Sequence, residues 1–515
     1  MIVLDYIILI LYAISMIGIA IYTKNRSKSV DDFLFAGKKG LNGWMSAFAY
    51  GTTYFSAVIF VGYAGKFGQQ YGLASVWIGI ANAILGSLIA WLVLAKRTKN
   101  MTVRLDAKTM PAFFEKRYES SNLKIISAIV IFIFLIPYSA SVYNGLSSLF
   151  GIVFGIDGWI IMLILAGLTA LYLFFGGYFA TALSDFIQGI IMLFGVVVMV
   201  FCFVNHENVS WNLSNLTSNP NLNWFTFEST NKGLYGNTMS LISLILLTSF
   251  GVWALPQTVH KYHSLRDKKG VWQGTIVSTL FALIIGFGAY FVGALSGLFP
   301  DLVAGVKGDD IIPTMLAGVI PHGIIGVIAV LILSASMSTL SSVSLASASV
   351  VAVDLYKGKV KKDASDKQVN MLMKSLCVAF IVISVVLAIV NEKLGVAAIA
   401  YMMGISWGTL AGCFIGPFVL GLLWKRVTKS ATWASIISSL VLTVGLIVFF
   451  GYDKSGYDCT LGQAIAAGIG CSPMIGVICM AFSMIITVLV SLCTRRPTDE
   501  TLYEAFEKPI ENEIK

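Results

Sequence analysis

The sequence predicts an all-α protein that crosses a membrane many times. Hydrophobic residues make up 57% of its 515 residues, charged residues only 12%, and long apolar runs recur along nearly the whole chain. A helix needs about 20 apolar residues to cross the hydrocarbon core of a bilayer, so each run predicts one span. The predicted spans, numbered 1 to 13 in chain order, are approximately 3–23, 43–66, 72–95, 125–150, 156–178, 181–204, 236–259, 271–297, 323–354, 373–391, 397–424, 430–450 and 474–493.

The basic residues predict how these spans are oriented. If the N-terminus is outside, 30 of the 35 Lys and Arg residues fall in segments that face the cytoplasm. Positively charged loops are retained on the cytoplasmic side, so we expect the N-terminus outside and the C-terminus inside. The net charge of +9 is then a topology signal, and it predicts neither a nucleic-acid partner nor an obligate protein partner. The first span lacks a small-residue cleavage site and is expected to be retained.

The spacing of the spans predicts an inverted repeat. Spans 2 and 7 both carry helix-breaking residues, and each begins a block of five spans, so the two blocks have opposite orientations. Broken helices at matching positions of two repeats are typical of a transporter's binding site. The predicted organisation is a peripheral first helix with a basic loop (1–42), a first five-helix repeat (43–204), an external loop (205–235), a second five-helix repeat (236–424), two peripheral helices (425–493) and a cytoplasmic tail (494–515).

Two sets of residues predict where spans 2 and 7 break. Gly51, Thr52 and Thr53 are consecutive poor helix formers at the middle of span 2, and a break there would free backbone carbonyls inside the membrane. A continuous helix with a small-residue packing face is an equal alternative. In span 7, Gly251 and Pro256 flank Trp253 and predict a second discontinuity.

Other elements have clear local signals. Pro137 predicts a kink in span 4 beside Tyr138, whose phenol could line a cavity or pack as an ordinary aromatic. Gly176 and Gly177 predict a tight turn from span 5 into span 6. The stretch 111–118 begins with proline and predicts an amphipathic helix on the cytoplasmic surface.

Span 9 is unusually rich in hydroxyl groups for a buried span. Ser338, Ser341 and Ser342 are spaced i, i+3 and i+4, which places three oxygens on one helical face near mid-membrane. Close packing of small residues is the plain alternative to an ion or solute site. The hydroxyl-bearing residues are Ser334, Ser336, Ser338, Thr339, Ser341, Ser342, Ser344, Ser347 and Ser349.

Asp185 is the one acid that the sequence places inside a predicted span and away from its ends. An unpaired carboxylate in hydrocarbon costs several kcal/mol, so such an acid predicts a functional site. The alternative is that it reaches cytoplasmic water. From the rise of an α-helix, Asp185 in span 6 and Ser342 in span 9 lie at similar depths, about 6 and 9 Å from the inner boundary.

The remaining reactive residues predict no enzyme. No metal-binding cluster of Cys and His occurs, and no Ser/His pair lies within the spans. Cys459 and Cys471 share an external loop, and whether they form a disulfide depends on the compartment. The 22 residues after Cys493 leave no room for a signalling domain, which makes a membrane solute sensor the remote alternative to a transporter.

Several stretches together resemble the sodium:solute symporter family over about residues 5–425. The family's fold is 13 helices around an inverted five-plus-five core, in agreement with the span count. The resemblance implies a sodium-coupled symporter of the plasma membrane that imports a small organic solute by alternating access. The stretches are DFLFAGKKG (32–40), KRY (116–118), LYLFFGGYFATALSDFIQ (171–188), SASMSTLSS (334–342) and VAVDLY (351–356).

The resemblance also implies two sodium sites. Hydroxyl and carbonyl oxygens suit a small hard cation, and the implied coupling is therefore two Na⁺ per cycle with no other cofactor. The ligands implied for the conserved first site are Thr52, Phe55, Ala335, Ser338 and Thr339. Those implied for a second site, present in some members, are Asp185, Ser338, Ser341 and Ser342.

The implied substrate is less specific. Residues 138–141 resemble the proline-transporting branch, but Val58, Thr248 and Val252 replace aromatic residues of that branch. We expect an amino acid such as proline, or a small carboxylate, with a sugar or a vitamin as the alternative. The residues predicted to line the solute cavity are Tyr54, Ser56, Tyr138, Trp253 and Trp407.

Overall fold

The computed structural model describes residues 2–24, 29–35, 43–211, 237–265, 267–306, 308–394 and 399–510. Every regular element in these ranges is a helix. Most of the predicted external loop 205–235 lies outside the described residues, and so do the side chain of Tyr54 and part of the basic loop that follows span 1.

Six of the 13 predicted spans are single helices, five are divided into segments, and spans 5 and 6 share one bent helix. The continuous spans are span 1 (Ile2–Thr23), span 4 (Ser121–Phe154), span 8 (Lys268–Ala294), span 10 (Asp366–Leu394), span 12 (Lys429–Ser455) and span 13 (Ser472–Cys493). The segmented ones are span 2 (Gly43–Tyr54, Val58–Tyr63, Ala64–Tyr71), span 3 (Gly72–Ser75, Val76–Ala81, Asn82–Ile89, Trp91–Ala95, Lys96–Arg104), span 7 (Asn237–Phe250, Gly251–Ala254, Pro256–His263), span 9 (Ile325–Ser349, Val350–Val360) and span 11 (Ile399–Ile415, Gly416–Leu420, Gly421–Leu423).

Spans 5 and 6 form the bent helix Gly158–Asn205. Gly177 has non-helical backbone angles inside that helix, which confirms the predicted turn.

Short helices connect the spans. The predicted amphipathic stretch forms the helix Met110–Arg117, capped by the Thr109 hydroxyl. The other short helices are Val30–Phe35, Leu295–Leu298, Pro300–Val303, Gly308–Asp310, Ile311–Val319, Leu461–Ile469 and Asp499–Phe506.

The described helices provide 13 crossings. Ten of them are long and apolar enough to cross a membrane, and the pair Thr238–Ala254 and Pro256–His263, bent by 45°, adds another. Val58–Arg104 and Gly158–Asn205 have 47 and 48 residues, which at about 1.5 Å per residue is enough for two crossings each. Each of these two helices turns at a glycine with positive φ.

Burial is greatest in spans 9 and 11. In span 9, 94% of the most apolar window is buried inside the protein, and in span 11 the share is 89%. The share is 28% in span 1, 33% in span 12, and 39% in span 10, in span 13 and in the bent helix Gly158–Asn205, as expected for helices that face lipid. Span 9 packs against spans 1, 4, 5, 6 and 10, so its hydroxyl-rich face lies at the centre of the bundle.

The break in span 2 lies later than predicted. Gly51, Thr52 and Thr53 remain helical, and the helix ends at Tyr54, with Phe55 non-helical. Within this helix the hydroxyls of Thr52 and Thr53 donate to the carbonyls of Phe48 and Ala49 one turn earlier. The later break follows from tertiary contacts, because the groups around residues 53–57 are bound by Ser336 and Thr339 of span 9.

The predicted break in span 7 is present. The helix tightens at Gly251–Ala254, Leu255 is extended, and Pro256 begins the second half. Proline suits this position because the first residue of a helix needs no N–H donor. In span 4, by contrast, Pro137 lies inside one continuous helix.

Candidate functional site

The broken span 2 is hydrogen-bonded directly to span 9. The Ala57 N–H, just past the break, donates to the Ser336 hydroxyl at 3.1 Å. Ser336 in turn donates to the Ile332 carbonyl at 2.7 Å, so its orientation is fixed by its own helix. Backbone groups freed by a helix break are tolerated inside a membrane only when a neighbour satisfies them, and span 9 does so here.

A cluster of oxygens surrounds Thr339. Its hydroxyl lies 3.0 Å from the Thr53 carbonyl, 3.4 Å from the Phe55 carbonyl and 3.2 Å from the Ala335 carbonyl. A hydroxyl has one proton and can donate to only one of these three acceptors. The cluster therefore has more acceptors than donors, which is the arrangement that a small hard cation requires.

The residues predicted for the first sodium site are mostly brought together here. Phe55, Ala335 and Thr339 all contribute to the cluster. The described contact from span 2 comes from the Thr53 carbonyl, one residue after the predicted Thr52. The Ser338 hydroxyl is fully buried and has no hydrogen-bond partner among the described residues.

A second polar cluster lies beside the first. The Asp185 carboxylate is fully buried, and its Oδ2 lies 3.3 Å from the Lys261 ammonium. Lys261 donates to the Ser342 hydroxyl at 2.9 Å, and Ser342 lies 3.2 Å from the Thr53 hydroxyl. Ser341 donates to the carbonyl of its own helix at Ser338. Asp185 and Ser342 are thus close together, as their predicted depths required.

Lys261 is the functional residue that sequence reasoning missed. It was counted among the cytoplasmic bases, but its side chain is only 1% exposed. A signal was available in the sequence. Lys261 is five residues after Pro256, about 7.5 Å along a helix, and a break near mid-membrane leaves about 15 Å to the boundary. A residue at that depth is inside the membrane.

The predicted solute residues are only partly assembled. Tyr138 packs edge-on against Trp407 with ring centroids 5.5 Å apart, and its hydroxyl lies beside those of Ser56 and Thr339. Trp253 does not join this group, because its indole donates to the Leu85 carbonyl in span 3 at 2.9 Å. The side chain of Tyr54 is outside the described part of the chain.

Two buried donors in this cluster make no hydrogen bond of good geometry in the described part of the chain. The Tyr138 hydroxyl and the Trp407 indole nitrogen make no hydrogen bond within the described residues. Both side chains are fully buried. A buried donor without a partner costs about 1–3 kcal/mol, so these two groups are suited to a ligand that supplies acceptor oxygens.

Comparison with known proteins identifies the family. The model of the sodium:solute symporter family matches residues 33–438, most of the chain. The chain belongs to the sodium:solute symporter family. It is therefore a multi-pass membrane protein of a transporter family, and it couples solute import to sodium.

Relatives of this symporter transport several kinds of solute. It is 27% identical to the osmoregulated proline transporter OpuE of Bacillus subtilis over 97% of both chains. It is 26% identical to the high-affinity proline transporter PutP of the same organism, over 88% of this chain and 94% of that one. It is also 26% identical to the sodium/pantothenate symporter of Haemophilus influenzae, over 84% and 88% respectively.

A solved structure supports the fold. The symporter superimposes on a Na⁺-coupled sialic acid symporter in a substrate-bound outward-open state with a TM-score of 0.76. The match covers 96% of this chain and 98% of the other at 19% sequence identity. Agreement over nearly the whole of both chains confirms the predicted all-helical symporter fold.

Proposed function

We propose that this symporter imports an amino acid such as proline, or a small carboxylate, with Na⁺ bound where spans 2 and 9 meet. The observation that carries the proposal is the group of three carbonyls around the Thr339 hydroxyl, two from span 2 and one from span 9. A cation bound between the two elements would hold them together. Its release would let span 2 move relative to span 9.

The solute would bind next to this cation. The unpaired donors of Tyr138 and Trp407 suit a carboxylate, and the Ser56 hydroxyl borders the same space. Proline and pantothenate, the solutes named for the relatives, both carry a carboxylate. The pantothenate relative is as similar to this chain as one of the proline transporters, so a vitamin carboxylate is the second candidate.

We infer that the solute enters through a cavity on the predicted external side. A space of about 720 Å³ lies at the predicted external ends of spans 2, 4, 10 and 11, where Lys66, Asp309 and Glu392 line it. Tyr63 neighbours Tyr401 near this cavity and also Tyr138 at the proposed site. Its hydroxyl donates to the Ala400 carbonyl at 3.2 Å. We infer that breaking this contact opens the site outward.

The helices that rearrange during transport would belong to the predicted pair of five-helix repeats, residues 43–204 and 236–424. Residues 1–42 and 425–493 would be peripheral to this pair, in line with the two lowest buried shares, 28% in span 1 and 33% in span 12. The tail 494–515 would remain cytoplasmic. Its helix Asp499–Phe506 packs against the inner end of span 3.

The test is uptake by proteoliposomes that contain the purified protein. The panel is labelled proline, other amino acids, pantothenate, short carboxylates and hexoses, each with an inward Na⁺ gradient and with K⁺ as the control. Sodium-dependent accumulation of proline or another carboxylate supports the proposal. Accumulation of hexoses alone, or no sodium-dependent uptake of any member by folded protein, would contradict it.

A further inference from the structure

The cluster around Asp185 already contains a cation. The Lys261 ammonium lies 3.3 Å from Asp185 Oδ2 and donates to the Ser342 hydroxyl at 2.9 Å. It also lies 5.1 Å from the centroid of the Tyr178 ring, whose face attracts cations. An ammonium has three N–H donors, and these three neighbours can satisfy all of them.

Lys261 occupies oxygens of two of the four residues that the resemblance implies for a second sodium ion. Ser342 and Asp185 are two of the implied second-site ligands, and both are bound to Lys261. Ser341 donates to a backbone carbonyl at 3.0 Å. A sodium ion here would have to displace the ammonium or lie close beside it, and two like charges in a buried site repel strongly.

We propose that the Lys261 ammonium is the resident cation of this second site, so that the symporter binds one Na⁺ and not two. This inference rests on the proposed function, because it assumes that Na⁺ binds between spans 2 and 9. Lys261 is covalently part of span 7, so its charge is not released across the membrane during a transport cycle. It therefore adds nothing to the energy that the sodium gradient supplies. At about 100 mV, one coupled Na⁺ supports roughly 50-fold accumulation, whereas two would support roughly 10³-fold.

The free side of Asp185 faces the first site. Asp185 Oδ1 makes no hydrogen bond of good geometry among the described residues, and its carboxylate lies beside the Ser338 hydroxyl, which can interact with it. One carboxylate thus lies between the tethered ammonium and the proposed Na⁺. By neutralising Asp185, Lys261 would weaken its attraction for that Na⁺, which helps release into the cytoplasm.

The test counts radioactive Na⁺ bound to the purified protein by scintillation proximity, which requires no knowledge of the solute. We expect one Na⁺ per wild-type protein with a Hill coefficient of one. Lys261→Met leaves Asp185 unpaired and should recruit a second Na⁺, with a Hill coefficient above one. Lys261→Arg keeps the charge and should bind one.

Lys124→Met is the matched control. Lys124 lies 3.7 Å from another buried carboxylate, Asp354, away from the proposed site, so its removal should leave the count at one. The double variant Asp185→Asn/Lys261→Met removes both charges and avoids an unpaired buried group. The ratio of Na⁺ bound by wild type to that bound by the double variant should be one.

Three results would overturn the proposal. The first is a wild-type count of two, with a ratio of two against the double variant. The second is a count of one for folded Lys261→Met, which would show that Lys261 does not exclude the second ion. The third is no Na⁺ binding by folded wild-type protein, which would instead refute the proposed sodium-coupled function on which this inference rests.

Discussion

Single side chains in the buried spans decide what this symporter can bind. Thr339 shows this most clearly, because one hydroxyl proton faces three carbonyl acceptors. Lys261 shows the opposite case, a cation that already lies against a carboxylate, a hydroxyl and an aromatic ring. At an effective dielectric constant of about 20, two like charges 4 Å apart repel by about 4 kcal/mol, which opposes binding of a Na⁺ beside the Lys261 ammonium.

At Tyr138 we expect the loss of one hydroxyl to weaken solute binding. Tyr138→Phe keeps the ring contact with Trp407 but removes a buried donor, and a hydrogen bond contributes about 1 kcal/mol, so the KM for solute should rise about fivefold. Uptake at fixed, saturating Na⁺ measures this.

Tyr143→Phe is the control for this prediction. Tyr143 lies in the same span, and its hydroxyl is also buried without a partner among the described residues, but it neighbours Tyr172 and not the proposed site. Its KM should match that of the wild type. Equal effects of the two substitutions would remove Tyr138 from the solute site.

The sequence could predict the acid and the serines of the second cluster but not its lysine. Asp185 is conspicuous because carboxylates are rare in spans, and helix geometry places it level with Ser342. Lys261 is close to a run of cytoplasmic bases, and counting charges by segment assigns it to them. The direction of its side chain depends on how span 7 packs, which a local pattern does not contain.

At the scale of the helices, glycine and proline mark most of the discontinuities. Pro256 begins the second half of span 7, and Gly177 turns span 5 into span 6. The break in span 2 is the exception, since it lies at Phe55, after the poor helix formers Thr52 and Thr53. Its position is set by contacts with Ser336 and Thr339 of span 9. The helix propensities of single residues do not predict such tertiary contacts.

Gly177→Ala should destabilise the protein. Its φ of 56° and ψ of −150° are strained for any residue with a Cβ, at a cost of about 1–3 kcal/mol. An added Cβ would also lie 2.7 Å from the Phe33 ring. We expect a lower apparent melting temperature in detergent, measured by fluorescence-detected size-exclusion chromatography.

Gly167→Ala in the same bent helix provides the comparison. An added Cβ at Gly167 meets no atom within 4 Å, and alanine favours a helix by about 1 kcal/mol over glycine. This variant should melt at or above the wild-type temperature. If both variants behaved alike, the turn at Gly177 would not be the constraint described here.

For the molecule as a whole, hydropathy and charge predicted an all-helical membrane protein and the number of spans, and the resemblance to a known family implied the symporter fold. The class and the number of spans can be predicted because the bilayer requires about 20 apolar residues in each span and basic residues in the cytoplasmic loops. Both requirements extend over whole segments of the sequence. Whether Cys459 and Cys471 pair was left open by the sequence, and both are free thiols in the structure.

The orientation of the whole molecule can be tested by labelling two cysteines, Cys459 and Cys493. We expect a membrane-impermeant maleimide to label Cys459 from outside, because it follows span 12 in a predicted external loop. Cys493, exposed at the inner end of span 13, should react only after the membrane is permeabilised. Single-cysteine variants in intact cells measure both, and the reverse pattern would contradict the N-out, C-in topology.

We propose that the coupling Na⁺ binds where span 2 meets Thr339, and the Na⁺ dependence of uptake shows whether the Thr339 hydroxyl contributes to its binding. Solute uptake by proteoliposomes is followed as external Na⁺ is varied, for wild type, for Thr339→Val and for the control Thr443→Val. Thr443 is a buried threonine of peripheral span 12 that donates to the Ser439 carbonyl at 2.8 Å. Losing a hydroxyl that contacts a charge costs about 1.5–3 kcal/mol, so Thr339→Val should need at least tenfold more Na⁺ for half-maximal uptake, whereas Thr443→Val should match the wild type. An unchanged Na⁺ requirement in Thr339→Val, or equal uptake in Na⁺ and K⁺, would contradict the claim.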